Sequence, residues 1–333
     1  MTDTDARPAP AVAWNGQAFL FGALLAAPAV IVSLFDTGAG AAIAIGVLPV
    51  AGVRMPATRR ARVSTLAIGV LAGASIVLGA LLAQAPVFAV AAMVALCVVG
   101  AVVSVHGAAG KLAFGLCLPL VAIGLSFDAV TTAVSAGAIM VAGAVWAYLV
   151  SLTWPERAPD PEEAARAASR TRAPTRRLVG FGLAMGAAVG IAATIGFLLE
   201  FDHVGWACAA ALLVMRPVRR QLVARSVGRA LSVTIGAFAA SALMAFAPAP
   251  PAIAVSLLLA LAAMAATQRS RWYITAAFTT FVAFLVILQA DPGDGAGRFT
   301  ERVLETLLGV GLALVFGALL PAAVERLRRR SAG

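Results

Sequence analysis

Charge is scarce in this sequence. Only 12% of the 333 residues are Asp, Glu, Lys or Arg, and Lys111 is the single lysine. A soluble domain carries about a quarter. Hydrophobic residues make up 62% and the mean hydropathy is +0.96. A soluble core cannot hide that much apolar sequence, so most of it must face lipid or other membrane helices. Cysteine and histidine are almost as rare. Cys97, Cys117 and Cys208 lie inside apolar runs without metal-ligand or disulfide spacing, and read as small apolar residues. His106 and His203 stand singly at loop edges. No P-loop, dinucleotide fingerprint, HExxH, GxSxG or CxxC pattern is present. These absences argue against an enzyme, a metal site, a cofactor and an intrinsic ATPase. Any transport must run on a gradient or be passive.

The charge that is present is lopsided. The formal net charge is +10, with 25 Lys and Arg against 15 Asp and Glu. A basic balance can signal nucleic acid, but no basic surface interleaved with aromatics exists here to stack bases. The arginines sit instead at the ends of apolar segments, where membrane topology wants them.

A membrane helix needs about 20 apolar residues. The sequence predicts an all-α, polytopic transmembrane bundle of about twelve helices. Their spans are roughly 17–35, 39–53, 63–84, 86–105, 111–127 and 129–153, then 178–199, 203–215, 228–247, 251–267, 272–290 and 301–321. Turn chemistry at Asp36-Thr-Gly38, Pro86, Asp128, Glu200-Phe-Asp202, Pro248–Pro251 and Asp291–Gly295 marks one set of connections. The alternate set holds the arginines: Arg54 to Arg62, Arg216 to Arg229, Arg269 and Arg271. Arg298 and Arg302 are the basic residues assigned to the acidic side. This asymmetry predicts a multi-pass protein of the inner (plasma) membrane with both termini cytoplasmic. Asp3 and Asp5 make a poor start for a cleaved signal peptide, so the first apolar run is expected to remain as a helix.

The order of signals repeats. Arg54-Met-Pro-Ala-Thr-Arg59-Arg60 answers Arg216-Pro-Val-Arg219-Arg220, Arg62 answers Arg225, and Pro86-Val-Phe-Ala-Val answers Pro251-Ala-Ile-Ala-Val. The expected organisation is a tail (1–16), membrane repeat 1 (17–155), a cytoplasmic linker (156–177), membrane repeat 2 (178–321) and a basic tail (322–333). Six helices per half make the repeats parallel, related by an axis along the membrane normal. Within the linker, residues 162–172 could form a surface helix or a solvated tether. The second segment of each half is short and lies beside a proline, Pro56 or Pro217, which marks two hinges and points to a substrate path.

Arg229 lies deepest in an apolar run. A membrane-embedded arginine is a functional candidate by default, and its guanidinium fork suits a carboxylate. Snorkelling to the interface is the competing reading. Arg216 and Arg302 are the other candidate anion contacts, and Glu305 is the candidate for proton coupling. Glu305 and Arg302 are three apart and could equally form a salt-bridged helix start. Small residues at Gly69/Gly73, Gly182/Gly186/Gly190 and Ser232/Gly236 read as packing faces.

Trp206, then Leu212-Leu-Val-Met215, a Pro-and-Arg hinge, and Arg229-Ala-Leu-Ser-Val-Thr-Ile-Gly236 resemble the signature of the fusaric acid resistance (FUSC) family. Ser232-Val233 stand where that family has Gly-Thr. The segment Arg302, Glu305-Thr306, Gly309 resembles its closing helix, and Trp154-Pro155 its helix end in the first half. The resemblance is stronger over 178–321 than over 17–155. It implies gradient-driven export of small organic anions, typically aromatic carboxylates, as in the related aromatic acid exporters. A passive anion channel and a non-transporting membrane scaffold remain the alternatives. The implied partners are the lipid bilayer and the small organic anion, with a homo-oligomer and a periplasmic adaptor left open.

Overall fold

A computed structural model describes residues 12–53, 55–156, 158, 175–290 and 292–331. Among these residues all regular structure is helical. The helices are α1 (Gly16–Ser33), α2 (Thr37–Ala51), α3 (Arg59–Ala83, with its first turn set off at Val63), α4 (Pro86–Val103), α5 (Gly107–Gly124), α6 (Val130–Leu152), α7 (Thr175–Leu198), α8 (Val204–Val214), α9 (Arg219–Ala245), α10 (Pro250–Ala266), α11 (Trp272–Ala290) and α12 (Gly295–Ser331). Residues 1–11 of the N-terminal tail, Arg54, Asp291 and the linker segment 162–172 lie outside the described residues.

Local chemistry sets the ends. The carboxylates of Asp36 and Asp294 and the amide oxygen of Asn15 accept hydrogen bonds from backbone N–H groups in the first turns of α2, α12 and α1. Pro86 and Pro250 occupy helix starts, where a missing N–H costs nothing. α5 and α12 each carry one π-helical turn, Ala113–Cys117 and Val315–Leu319.

Among the described residues, nine helices are long and apolar enough to cross a membrane, and α2, α8 and α10 are shorter apolar helices. Helices are found at each of the twelve expected segments, and these nine have the length and composition of a membrane span. At 15 and 11 residues, α2 and α8 are about 22 and 16 Å long, well below a ~30 Å hydrocarbon core. The breaks at 55–58 and 215–218 stop continuation at one end, and these breaks contain Pro56 and Pro217. A correction concerns the basic stretch 216–229. Only its first residues are non-helical, because α9 begins at Arg219. Arginine is a good helix former, so the helix runs on past its apolar part. The last helix likewise exceeds its expected 301–321 at both ends.

The helices pack in recurring pairs. α1 lies along α10 and α4 along α7; α3 packs on α6; α9 packs chiefly on α11 and also on α12; α2 meets α6 and α8 meets α12. Two large apolar cores result. One draws on α4, α5, α7, α8 and α12; the other on α1, α2, α6, α10 and α11. Glycines set the closest approaches. A Cβ at Gly73 would strike the Gly137 backbone of α6, and one at Gly182 the Val98 backbone of α4. Arg62, fully buried, fastens α3 to the end of α6. Its guanidinium donates to the carbonyls of Trp154 and Pro155 (each 2.8 Å) and Ser151, and to that of Pro56 at 3.3 Å.

Candidate functional site

The buried polar chemistry collects on α12. Residues Arg302, Glu305, Thr306, Gly309, Val310 and Ala313 form its buried face, at helical spacing. Gly309 makes this possible: a Cβ there would enter the Ala207 backbone and reach Ala210 of α8. That close approach, two turns from Arg302, lays the guanidinium carbon 3.4 Å from the centroid of the Trp206 ring. The His203 ring meets the same indole edge-on at 6.1 Å. A desolvated cation over an indole face is held by about 2 kcal/mol or more.

Arg302 and Glu305 are 3% and 2% exposed. No hydrogen bond or salt bridge joins them. Arg302 Nε and Nη1 and Glu305 Oε1 are buried without hydrogen-bond partners. Of the salt-bridged helix start that the spacing allowed, the Arg298–Glu301 pair forms at 3.4 Å and the Arg302–Glu305 pair does not. Each unsatisfied buried polar atom costs roughly 1–3 kcal/mol, more when charged. Both side chains instead border a small cavity with His203, Trp206, Arg298, Glu301, Phe284 and Ile287. Its volume is about 10 Å³, the room of one water.

Next to this crypt, sharing His203 and Arg298 with it, opens a vestibule of about 830 Å³. Its polar wall includes Gln84, Ser126, Asp128, Glu200 and Asp202. Arg298 bridges the rim, pairing with Asp202 and with Glu301 at 3.4 Å. His203 Nδ1 lies 3.6 Å from Glu301 Oε1. Burial holds the His203 imidazole below its ordinary pKa, against the opposing pull of Glu301. Along the chain His203 has no neighbouring ligand; the fold supplies two. Side-chain donor atoms of His203, Glu301 and Glu305 lie within 4.8 Å of one another, close enough to share a cation. Arg298 and Arg302 border the same cavity, and two fixed positive charges oppose a second cation there.

Of the candidate anion contacts, Arg229 and Arg302 come together and Arg216 does not join them. Arg229 is 7% exposed on the buried face of α9, with Nε unpartnered, and is near enough to Arg302 to interact electrostatically. Burial, not snorkelling, is its state. Arg216 sits in the 215–218 break at the other end of the helices, donating to the Met215 carbonyl at 2.5 Å. Burial, and then the nearby charge of Arg225, push its pKa down to about 10, which still leaves it cationic at neutral pH. Pro56 and Pro217 occupy the breaks before α3 and α9. Sequence reasoning missed Asp202, His203 and Glu301 as parts of the site, and used Trp206 only as a family mark. The i, i+3, i+4, i+7 run of Arg298, Glu301, Arg302 and Glu305 was the available signal.

The fold and the site define a polytopic helical membrane protein with a buried cationic centre. Residues 181–316 match the family model described as fusaric acid resistance protein-like. The matched segment, less than half of the chain, is similar to that family. It contains Trp206, Arg229, Arg302 and Glu305. No curated protein and no solved structure matches the chain significantly.

Proposed function

We propose that the protein exports small organic anions, aromatic carboxylates foremost, across the inner membrane, with both termini cytoplasmic. The observation that carries this reading is the pair of buried, under-bonded guanidiniums, Arg229 and Arg302, with Trp206 stacked on Arg302. A buried arginine with free N–H groups lacks an anion, and a carboxylate supplies two acceptor oxygens. Trp206 and Phe284 border a cavity that now has room for one water, and they would face an aromatic ring only where the helices part to admit it.

In this reading the basic end, with Arg216, Arg219, Arg220 and Arg225, concentrates anions at the cytoplasmic mouth. The anion passes Arg229, then Arg302, and leaves through the vestibule. Asp128, Glu200 and Asp202 there disfavour its return. An inside-negative potential of 100 mV adds about 2.3 kcal/mol per charge, roughly a 45-fold bias outward. A gradient-driven exporter and a passive channel share this path and differ in whether flux is tied to protons, with Glu305 the coupling group in the first. All twelve apolar helices cross in this account, the short α2 and α8 being completed by their hinges. The halves 17–155 and 178–321 act as parallel repeats, a reading supported by the way α1–α10 packing recurs as α7–α4 and α3–α6 as α9–α12.

The test is flux. Purified protein in liposomes should release radiolabelled benzoate under an imposed potential, and Arg229→Ala should abolish the release while the protein stays folded and monodisperse. Undiminished release by Arg229→Ala removes Arg229 from the path.

A further inference from the structure

Resting on the reading of Glu305 as a coupling group, the geometry points to His203 and Glu301 as a built proton inlet that connects the vestibule to Glu305. Two side chains border both cavities, His203 and Arg298. Arg298 does not release a proton under ordinary conditions. His203 does, and it has two ring nitrogens, so it can accept at one and donate from the other. Its Nδ1 faces Glu301 Oε1 at 3.6 Å, and a donor atom of Glu305 lies within 4.8 Å of both residues. The cavity between them has room for one water. Glu305 Oε1, buried in that cavity's wall, has no hydrogen-bond partner of its own.

The transfer balances simply. A proton from vestibule water binds His203 Nε2, and the Nδ1 proton passes to a Glu301 oxygen. Glu301 releases it through the bridging water to the Glu305 carboxylate. The imidazole returns to its starting tautomer by ring or proton exchange with vestibule water. No other bond changes. The groups facing Glu305 set its balance. From α12 come Arg298, Glu301 and Arg302; from the turn before α8, Asp202 and His203; from α8, the Cys208 thiol; Arg229 of α9 acts on Arg302 in turn. α11 presents Phe284 and Ile287. A proton on Glu305 removes one negative charge from this cluster, which shifts it toward the state that favours an anion.

The experiment reads the proton rather than the anion. Full-length protein in liposomes is subjected to a rapid fall in external pH while the infrared band of a protonated buried carboxyl is followed. The band is assigned by its loss in Glu305→Gln. His203→Gln should slow its appearance by on the order of 100-fold, leave the midpoint of the equilibrium titration in place, and regain speed with added imidazole. An unchanged rate in His203→Gln overturns the inlet. If that variant fails to fold, Glu301→Gln supplies the same comparison, and an unchanged rate there overturns it equally. Absence of any Glu305-dependent band in the wild type overturns both the inlet and the coupling role of Glu305, and leaves the anion path through Arg229 and Arg302 standing on its own flux assay.

Discussion

Replacing Arg302 with leucine removes the cation from Trp206 while keeping an apolar side chain in its place. Two consequences can be sized. A buried, hydrogen-bonded charge pair is worth about 2–5 kcal/mol when one partner is truncated. A carboxylate substrate that relied on Arg302 would therefore bind or pass about 30- to 4,000-fold less well, at 1.4 kcal/mol per tenfold. The protein itself should suffer less. Arg302 carries two unpartnered N–H groups in the folded state, so its removal relieves a desolvation cost even as the contact with Trp206 is lost. Flux should thus fall steeply while thermal unfolding shifts little. The assay is the initial rate of benzoate efflux from proteoliposomes at a fixed imposed potential, beside an unfolding scan of the same preparation. Arg302→Lys keeps the charge but not the fork, and should fall between wild type and Arg302→Leu. Flux within twofold of wild type in Arg302→Leu refutes the role given to this centre.

Trp206→Leu should lower efflux of aromatic acids by about 30-fold, the value of a desolvated cation–π contact, and lower that of aliphatic acids less; competition between benzoate and acetate measures the difference. Gly309→Val should force α8 and α12 apart, since its side chain would enter the Ala207 backbone; overpacking of this kind costs about 1–3 kcal/mol, visible as a fall in the unfolding temperature. Arg62→Ala should destabilise by about 3 kcal/mol or more by stranding the carbonyls of Ser151, Trp154 and Pro155, yet leave the concentration dependence of any remaining flux unchanged. Because the Arg216 pKa is depressed to about 10, its charge is present below that pH and lost as pH rises through it; its contribution to anion capture should be constant between about pH 6 and 8, checked by comparing wild type with Arg216→Gln across that range.

The helical membrane architecture was legible because lipid demands long apolar runs and places arginine at one end of them. The turns at Asp36, Pro86 and Asp294 were readable from cap chemistry. The start of α9 was not, since apolar content stops near Gly228 while helical propensity continues through Arg219–Arg225. Arg229 and Arg302 were visible as buried arginines in apolar surroundings, but their neighbourhood was not. It depends on Gly236 and Gly309 bringing α9, α11 and α8, α12 close, which no one-dimensional pattern reveals. His203 shows the limit most clearly. It is nearly 100 residues from Glu301 and touches it only because α8 packs along α12. The glycine faces themselves were read correctly as packing surfaces, since Gly73 meets α6 and Gly182 meets α4.

The central claim is that an anion crosses this protein past two buried arginines. The most direct measurement is potential-driven efflux of radiolabelled benzoate from liposomes holding wild-type protein, Arg229→Ala or Arg302→Leu. The account predicts efflux in the wild type that grows with inside-negative potential and is lost in both variants at unchanged protein content. Efflux that is absent in a folded wild type, or equal in all three, contradicts it.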